Sequence, residues 1–368
     1  MEIIKTNAPQ IVVWRNPKSV FKYNGWPTVC SDERGVLYAA ASSFRIQHVD
    51  PSGKNAMFVS FNGGETWTRP IIVNDSYLDD RDTGIVSLGG GHMIVSWFSL
   101  RYEDDCAGHA DFEWEKAYDK TMILGMGEVC KLLPQEDMKS GAYVKVSDDY
   151  GVTWSEPIPV PMTCPHGPSR MNDGRAVFLG KDMDKRENGK SQIAAYISKD
   201  YGRTWEKQGD VPLPEHEGLT WDHLHEPHVV QLPSGRLLGA IRVHCRKVEP
   251  ADTVYTTYSD DEGKTWSMPE CVGVSGLPPH LLVHSSGAVI LSYSCRVDGQ
   301  RAERACVSYD GGETWAQDYV ISDNVPFCDH GYPATAECSD GSLFTVYYQC
   351  YPGDDFCSVL GNKWKLEK

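Results

Sequence analysis

The chain has 368 residues with 40% hydrophobic and 11% aromatic content, which suits a packed globular protein and excludes a disordered one. A formal net charge of −16 sets its surface against nucleic acid and anionic membrane. No apolar run approaches the roughly 18 residues that a membrane span needs.

The first 17 residues, MEIIKTNAPQIVVWRNP, lack the charged start, apolar core and small-residue cleavage site of a signal peptide, so a cytoplasmic protein is expected. The 12 cysteines form no CxxC pair, and several fall in apolar strand-like runs, among them Cys271, Cys295, Cys306 and Cys350. They are expected to be mostly buried, reduced thiols.

In chain order, Ile11–Trp14 is a short strand-like run, and a hairpin signature then recurs six times. The hairpins are Trp26–Ala41, Arg81–Phe98, Gly167–Gly180, Glu226–Arg242, Pro279–Arg296 and Gly331–Gln349. Each opens on a polar or proline-bearing segment, runs as a short apolar strand, turns on a glycine and returns as a second β-rich strand. A second pattern, S-x-D-x-G-x-T-W, follows the first five. It occurs at Ser60–Trp67 with Asn62 in place of Asp, and at Ser147–Trp154, Ser198–Trp205, Ser259–Trp266 and Ser308–Trp315. The starts are separated by 87, 51, 61 and 49 residues, the spacing of a repeat architecture.

Each unit therefore reads strand A, turn, strand B, loop, strand C, box, strand D. Six such units predict an all-β fold, a six-bladed β-propeller with four-stranded antiparallel blades, as one domain over residues 1–368. The sixth unit lacks a box, and Phe356–Leu360 and Ile11–Trp14 are expected to complete it. The long first gap holds an insertion at about 101–140. There Trp114, Ala117, Tyr118 and Met122 fall at helical spacing, with Asp111 as a cap. Joining strands B and C, it is expected to overhang the pocket.

In such a blade the A–B and C–D turns share one end, and the D–A and B–C loops share the other. The boxes are C–D turns, so the chemistry belongs at the opposite end. The charges of a box read as a turn lock: Asp accepts nearby backbone N–H groups, Gly takes a conformation other residues resist, and Trp packs beneath. A phosphate loop would need glycine where Tyr258 stands ahead of Gly263-Lys264-Thr265. No box offers the twelfth-position acid of an EF-hand.

These boxes, five in number with hairpins between them, resemble the Asp-box (BNR) repeats of the sialidase superfamily, over nearly the whole chain. The resemblance implies a propeller with a shallow axial pocket, three arginines on a substrate carboxylate, a Tyr nucleophile paired with Glu, and an Asp acid/base. Carried over by position, it implies Tyr332 as nucleophile, Glu226 as its partner, Asp50 as acid/base, and Arg242 and Arg296 as clamp arginines. The expected function is an exo-acting glycoside hydrolase on a terminal sialic acid or related acidic sugar. A Tyr nucleophile suits that substrate because a neutral phenol does not repel a carboxylate beside the anomeric carbon.

The first arginine of the family is missing. Its motif is replaced by Asn24-Gly25-Trp26-Pro27-Thr28, and where the family has the Glu that steadies it this chain reads Tyr347-Tyr348-Gln349. Arg45 or Arg81 would have to substitute, Trp26 would offer a stacking surface, and Gln349 is expected as a further substrate contact. His48, His166, His223, His225, His228, His280 and His330 are placed at the same end. They fit sugar contacts through His166, His228 and His280, or a His acid/base. A metal site of Asp222, His225, His228 and His280 matches no strong zinc pattern, so neither metal nor cofactor is expected. Two alternatives stand beside the hydrolase: a glycosidase or lyase for rhamnose or a uronic acid using these histidines, and a non-catalytic glycan-binding propeller. A carbohydrate is the expected partner in each, and the oligomeric state is left open.

Overall fold

The computed structural model describes residues 1–101, 120–134, 138–182, 192–327 and 329–367. The strands form six small antiparallel sheets arranged as propeller blades. Blade one consists of Tyr23–Ser31, Leu37–Arg45, Lys54–Ser60 and Ile71–Asn74, as strands A to D from the axis outward. Blade two is Asp79–Gly89, His92–Leu100, Gly141–Ser147 and Ile158–Val160. Blade three has a two-residue strand A, Ser169–Arg170, followed by Ala176–Asp182, Ile193–Ser198 and Glu206–Asp210, with Met162–Thr163 also paired to strand B. Blade four is Leu224–Gln231, Leu237–Val243, Thr253–Ser259 and Glu270–Ser275.

The ring closes with the N-terminal segment. Blade five, built from His280–Val283, Val289–Cys295, Ala302–Ser308 and Gln317–Ser322, takes Glu2–Lys5 as a parallel fifth strand. Blade six is Gly331–Glu337, Leu343–Cys350 and Cys357–Trp364, and Gln10–Trp14 supplies its outer strand. Both segments expected to complete the sixth unit do so.

Apolar faces alternate along the strands, so each blade buries one face against each neighbour. The result is one core per blade interface. Phe58 and Ala39 of blade one meet Phe344 and Val346 of blade six, and Leu179 and Ile197 of blade three meet Val229 and Ile241 of blade four. Four further clusters fill the other interfaces.

The boxes lock the C–D turns. In Ser259–Trp266 the Ser259 hydroxyl donates to Asp261 Oδ1 at 2.8 Å and accepts from Gly263 N–H at 2.8 Å. Asp261 also accepts from the Thr265 N–H at 2.9 Å and the Thr265 hydroxyl at 2.7 Å, and Trp266 Nε1 donates to the Gly263 carbonyl at 3.0 Å. These bonds hold the Asp261 carboxyl down at about 2. Ion pairs between neighbouring blades, such as Arg175–Glu262 and Arg203–Asp148, lie on the same end.

The insertion contains an α-helix at Lys120–Cys130. Its Ile123 packs on Ile46 and Val49, in the loop after strand B of blade one. Met122 borders that contact, while Asp111, Trp114, Ala117 and Tyr118 lie outside the described residues. No helix among the described residues is long and apolar enough to cross a membrane. Eight of the ten described cysteines are buried and all ten are free thiols. Cys271 departs from expectation: it is exposed, because it sits on the outer strand of blade four.

Candidate active site

One backbone device recurs at the pocket end of the inner strands. Trp26, Asp82, Glu226 and Tyr332 all have left-handed φ, at 50°, 55°, 44° and 54°. Each sits at a break in the A–B ladder: Gly25/Thr28, Arg81/Gly84, His225/His228 and Gly331/Ala334. Such a conformation costs about 1–2 kcal/mol in a residue with a Cβ and gathers at functional sites. A bulge with this twist turns its side chain out of the pleat, here toward the axis. In blade three Gly167, φ 73°, precedes Pro168, and in blade five Pro278 precedes Pro279. Gly167 cannot be replaced freely, because blades two and three touch there: a Cβ on it would lie 2.6 Å from Ser96 Oγ and 3.2 Å from the Gly84 Cα.

Tyr332 and Glu226 meet across the pocket. The Tyr332 hydroxyl donates to Glu226 Oε1 at 2.5 Å, and Arg242 Nη1 donates to Glu226 Oε2. The same Arg242 nitrogen lies 3.4 Å from the Tyr332 oxygen. Burial alone would raise the Glu226 carboxyl, but the charge of Arg242 and the bonds from Arg242 and Tyr332 hold it below the usual carboxylate range. Burial and the nearby charges of Glu226 and Asp82 push the phenol well above its ordinary value. Glu226 is therefore an ionised acceptor touching a protonated phenol. Arg296 is fixed by two donations to the His330 carbonyl, at 3.1 and 2.7 Å, and its charge also acts on Tyr332.

The missing arginine is replaced by a different arrangement. Trp26 fills the position, with the guanidinium carbons of Arg45 and Arg81 at 4.9 and 5.5 Å from its ring centre. Arg45 is fully buried and pairs with Asp79 at 2.6 Å; Arg81 shares that carboxylate through Nε at 2.8 Å and is 12% exposed. Of the two, only Arg81 keeps any exposed surface. Beside Trp26, Asp329 accepts from Tyr23 at 2.8 Å and Tyr348 at 2.9 Å, and lies 3.2 Å from His48 Nδ1. These three partners keep its carboxyl below its ordinary range despite burial.

Several expected residues are not brought to the pocket. Asp50 is fully buried, and its carboxylate accepts from Ile46 N–H at 2.6 Å, Gln47 N–H at 3.0 Å, Ser52 N–H at 2.6 Å and the Ser52 hydroxyl. It folds its own loop inward, and His48 of that loop faces the site instead. Gln349 is buried and donates to the Asn324 carbonyl at 2.9 Å. His166, His228 and His280 cluster on the axis, with the last two stacked at 4.4 Å, and line a cavity of about 380 Å³ that reaches Asn172 and Pro233 at the A–B turns. The backbone N–H groups of Leu281 and Thr335 donate to Nδ1 of His228 and His280, at 3.0 and 3.3 Å. Both rings must then carry their proton on Nε2, which leaves them without a lone pair for a metal. Burial holds all three imidazoles neutral. His225 lies instead 3.2 Å from Lys181 Nζ, and burial followed by that charge lowers it to about 4. Among the described residues no group of three His, Cys, Asp or Glu side chains is spaced to hold an ion.

Two pocket residues escaped the sequence reading. Asp329 gives no pattern. Asp82 could have been found from the dipeptides Trp26-Pro27, Gly167-Pro168, Glu226-Pro227, Pro278-Pro279 and Tyr332-Pro333, since superposing the units puts Asp82-Thr83 in the same place.

The comparisons with known proteins agree with the fold. A family model described as a BNR repeat-like domain matches residues 177–349, and one described as a BNR/Asp-box repeat matches residues 58–69. A crystal structure of a protein of unknown function from Dyadobacter fermentans superposes with a TM-score of 0.74 at 21% identity, covering 97% of this chain and 98% of that one. The NanB sialidase of Streptococcus pneumoniae gives 0.69 at 15% identity over 97% of this chain and 71% of its own. An intramolecular trans-sialidase from Ruminococcus gnavus gives 0.65 at 15% identity over 98% and 97%. A curated relative, the vacuolar protein sorting/targeting protein 10 of Candida albicans, is 28% identical over 152 residues, which is 39% of this chain and 9% of that protein. At these identities the structural likeness is one of fold.

Proposed function

The chain is a sialidase-like propeller of BNR repeats, and from that premise we propose that it is an exo-acting glycosidase removing a terminal sialic acid or related acidic sugar from a glycan. The observation that carries this reading is the 2.5 Å hydrogen bond from the Tyr332 hydroxyl to Glu226, with Arg242 at 3.4 Å from the same oxygen. A nucleophile in contact with an ionised base is the geometry of covalent catalysis.

In the first step the Tyr332 oxygen bonds to the anomeric carbon while its proton passes to Glu226 Oε1. Negative charge grows on the phenol oxygen as this happens, and Arg242 already faces it, so its attraction is greater in the transition state than before. Arg242, Arg296 and Arg81 supply positive charge for an acidic substituent beside the anomeric carbon. The neutral phenol adds no repulsion. In the second step water displaces Tyr332, which recovers its proton from Glu226.

A panel of fluorogenic terminal-sugar glycosides tests the reading. Turnover of an acidic-sugar substrate is expected, lost at least about 10³-fold in Tyr332→Phe. A fluorinated analogue of that sugar should leave a covalent adduct on the peptide containing Tyr332. Undiminished turnover by Tyr332→Phe would overturn the nucleophile. An ultraviolet-absorbing unsaturated product would point to a lyase, and binding without turnover to a glycan-binding propeller.

A further inference from the structure

Cleavage as described needs a proton on the departing oxygen, and Asp50, enclosed in its own loop, is not placed to give one. Asp82 is. It occupies in blade two the left-handed bulge that carries Glu226 in blade four and Tyr332 in blade six, so the same backbone turn aims it at the axis. It is 7% exposed, and its carboxyl has no hydrogen-bond partner among the described residues, whereas neighbouring Asp79 is paired with Arg45 and Arg81 and Asp80 accepts from Asn74, Ser76 and Ser99. The Asp82 oxygens are not fully enclosed, so with no such partner they are left for a ligand in the pocket.

We propose that Asp82 is the general acid and base of this reaction, giving its carboxyl proton to the glycosidic oxygen and later taking one from the attacking water. The assignment rests on the glycosidase reading above. The balance is closed. In the first half-reaction the bond from the anomeric carbon to the leaving oxygen breaks, and the alcohol leaves with the Asp82 proton. The bond to Tyr332 forms, and the phenolic proton rests on Glu226. In the second half-reaction water bonds to the anomeric carbon and loses its proton to the Asp82 carboxylate. Tyr332 departs and is reprotonated by Glu226.

The surroundings support a proton on Asp82 at neutral pH. Burial, then the charge of Glu226, pushes its carboxyl up to about 8 against the opposing pull of Arg81 and Arg45. The charged and titratable groups that face it are Glu226 from blade four, Tyr332 from blade six, Arg45 from blade one, Arg81 and Asp79 of its own strand, and Cys164 ahead of blade three. Two carboxyls in one pocket, Glu226 held ionised and Asp82 held protonated, are the mark of a base and an acid with separate tasks. His48 is the competing donor, but its Nδ1 is committed to Asp329 at 3.2 Å and Tyr23 at 2.9 Å.

The test uses the full chain and one sugar, offered as a 4-methylumbelliferyl glycoside and as a methyl glycoside. The aryl alcohol leaves without help; methanol needs a proton. Asp82→Asn is expected to lose about 10²–10⁴-fold in kcat/KM on the methyl glycoside and less than about 10-fold on the aryl one. The alkaline limb of the pH profile should vanish, and azide should raise the rate while giving glycosyl azide. Asp82→Glu, which keeps the acid, should recover part of the methyl-glycoside rate, and it serves if the Asn variant folds poorly. Equal losses on both glycosides with the alkaline limb intact would overturn the proposal, as would the leaving-group split appearing in His48→Gln instead. Should the wild-type chain turn over no glycoside at all, the glycosidase reading itself fails and this role falls with it.

Discussion

Replacing Asp82 by Asn should make the fold less sensitive to alkaline pH, whatever the substrate. Asparagine tolerates a left-handed φ, so the bulge at 55° survives the change. In the wild type the carboxyl moves from an ordinary 3.8 to about 8 on folding. A carboxyl raised in the folded chain holds its proton more tightly when folded. Its stabilising contribution is therefore complete below about pH 4 and is lost as the pH climbs through about 8. At about 1.4 kcal/mol per pH unit, the wild type should lose about 4 kcal/mol relative to the variant between pH 5 and pH 9, or about half that if water follows the charge into the pocket. Urea unfolding of both proteins at each pH, compared as differences in free energy, measures it. A difference that stays flat within about 0.5 kcal/mol from pH 5 to pH 9 would show that Asp82 is not a buried, protonated carboxyl, and the general-acid assignment would lose its basis.

Asp50→Asn should behave differently. An amide cannot accept from the three backbone N–H groups and the hydroxyl that now converge on the carboxylate, and at least one buried N–H is left unpaired. The expected cost is about 2–3 kcal/mol in thermal or urea unfolding, with no leaving-group dependence in the kinetics. Glu226→Gln should lower kcat about 10²–10⁴-fold and remove the acid limb of the pH profile, since the amide accepts no proton from Tyr332. Gly84→Ala should cost about 3 kcal/mol or more, because its Cβ would meet backbone at 2.5 Å. Gly174→Ala, with φ 88° and open space around it, should cost only about 1 kcal/mol in the same unfolding assay.

The blades were legible because each repeats a hairpin of alternating residues and a box whose Ser, Asp, Gly, Thr and Trp all bond within the turn. Even the closure by Gln10–Trp14 could be anticipated, since the sixth unit was one strand short. Glu226, Tyr332 and Arg242 were named through the family resemblance, and the structure brings the three together because the ring fixes where each inner hairpin starts and ends. What failed depends on loops folding on themselves. The same eight-residue loop holds His48 and Asp50, and hydrogen bonds to its own backbone decide which of them faces the pocket. His228 and His280 stand two residues beyond the bulge positions, deep enough to leave the pocket and line the axis. Asp82 went unread because Thr83 breaks the proline pattern that marks the other five units.

The two ring positions without a working side chain, Gly167 and Pro278, also shape the pocket. In a ring of six, Tyr332 looks across at Gly167, and Asp82 looks across at Pro278. Gly167 cannot be filled while Gly84 presses against it, so the berth opposite Tyr332 is protected by the backbone itself. A redesign that seeks a bulkier guest has room to trade at Trp26, whereas one that adds a side chain between blades two and three would spread the ring.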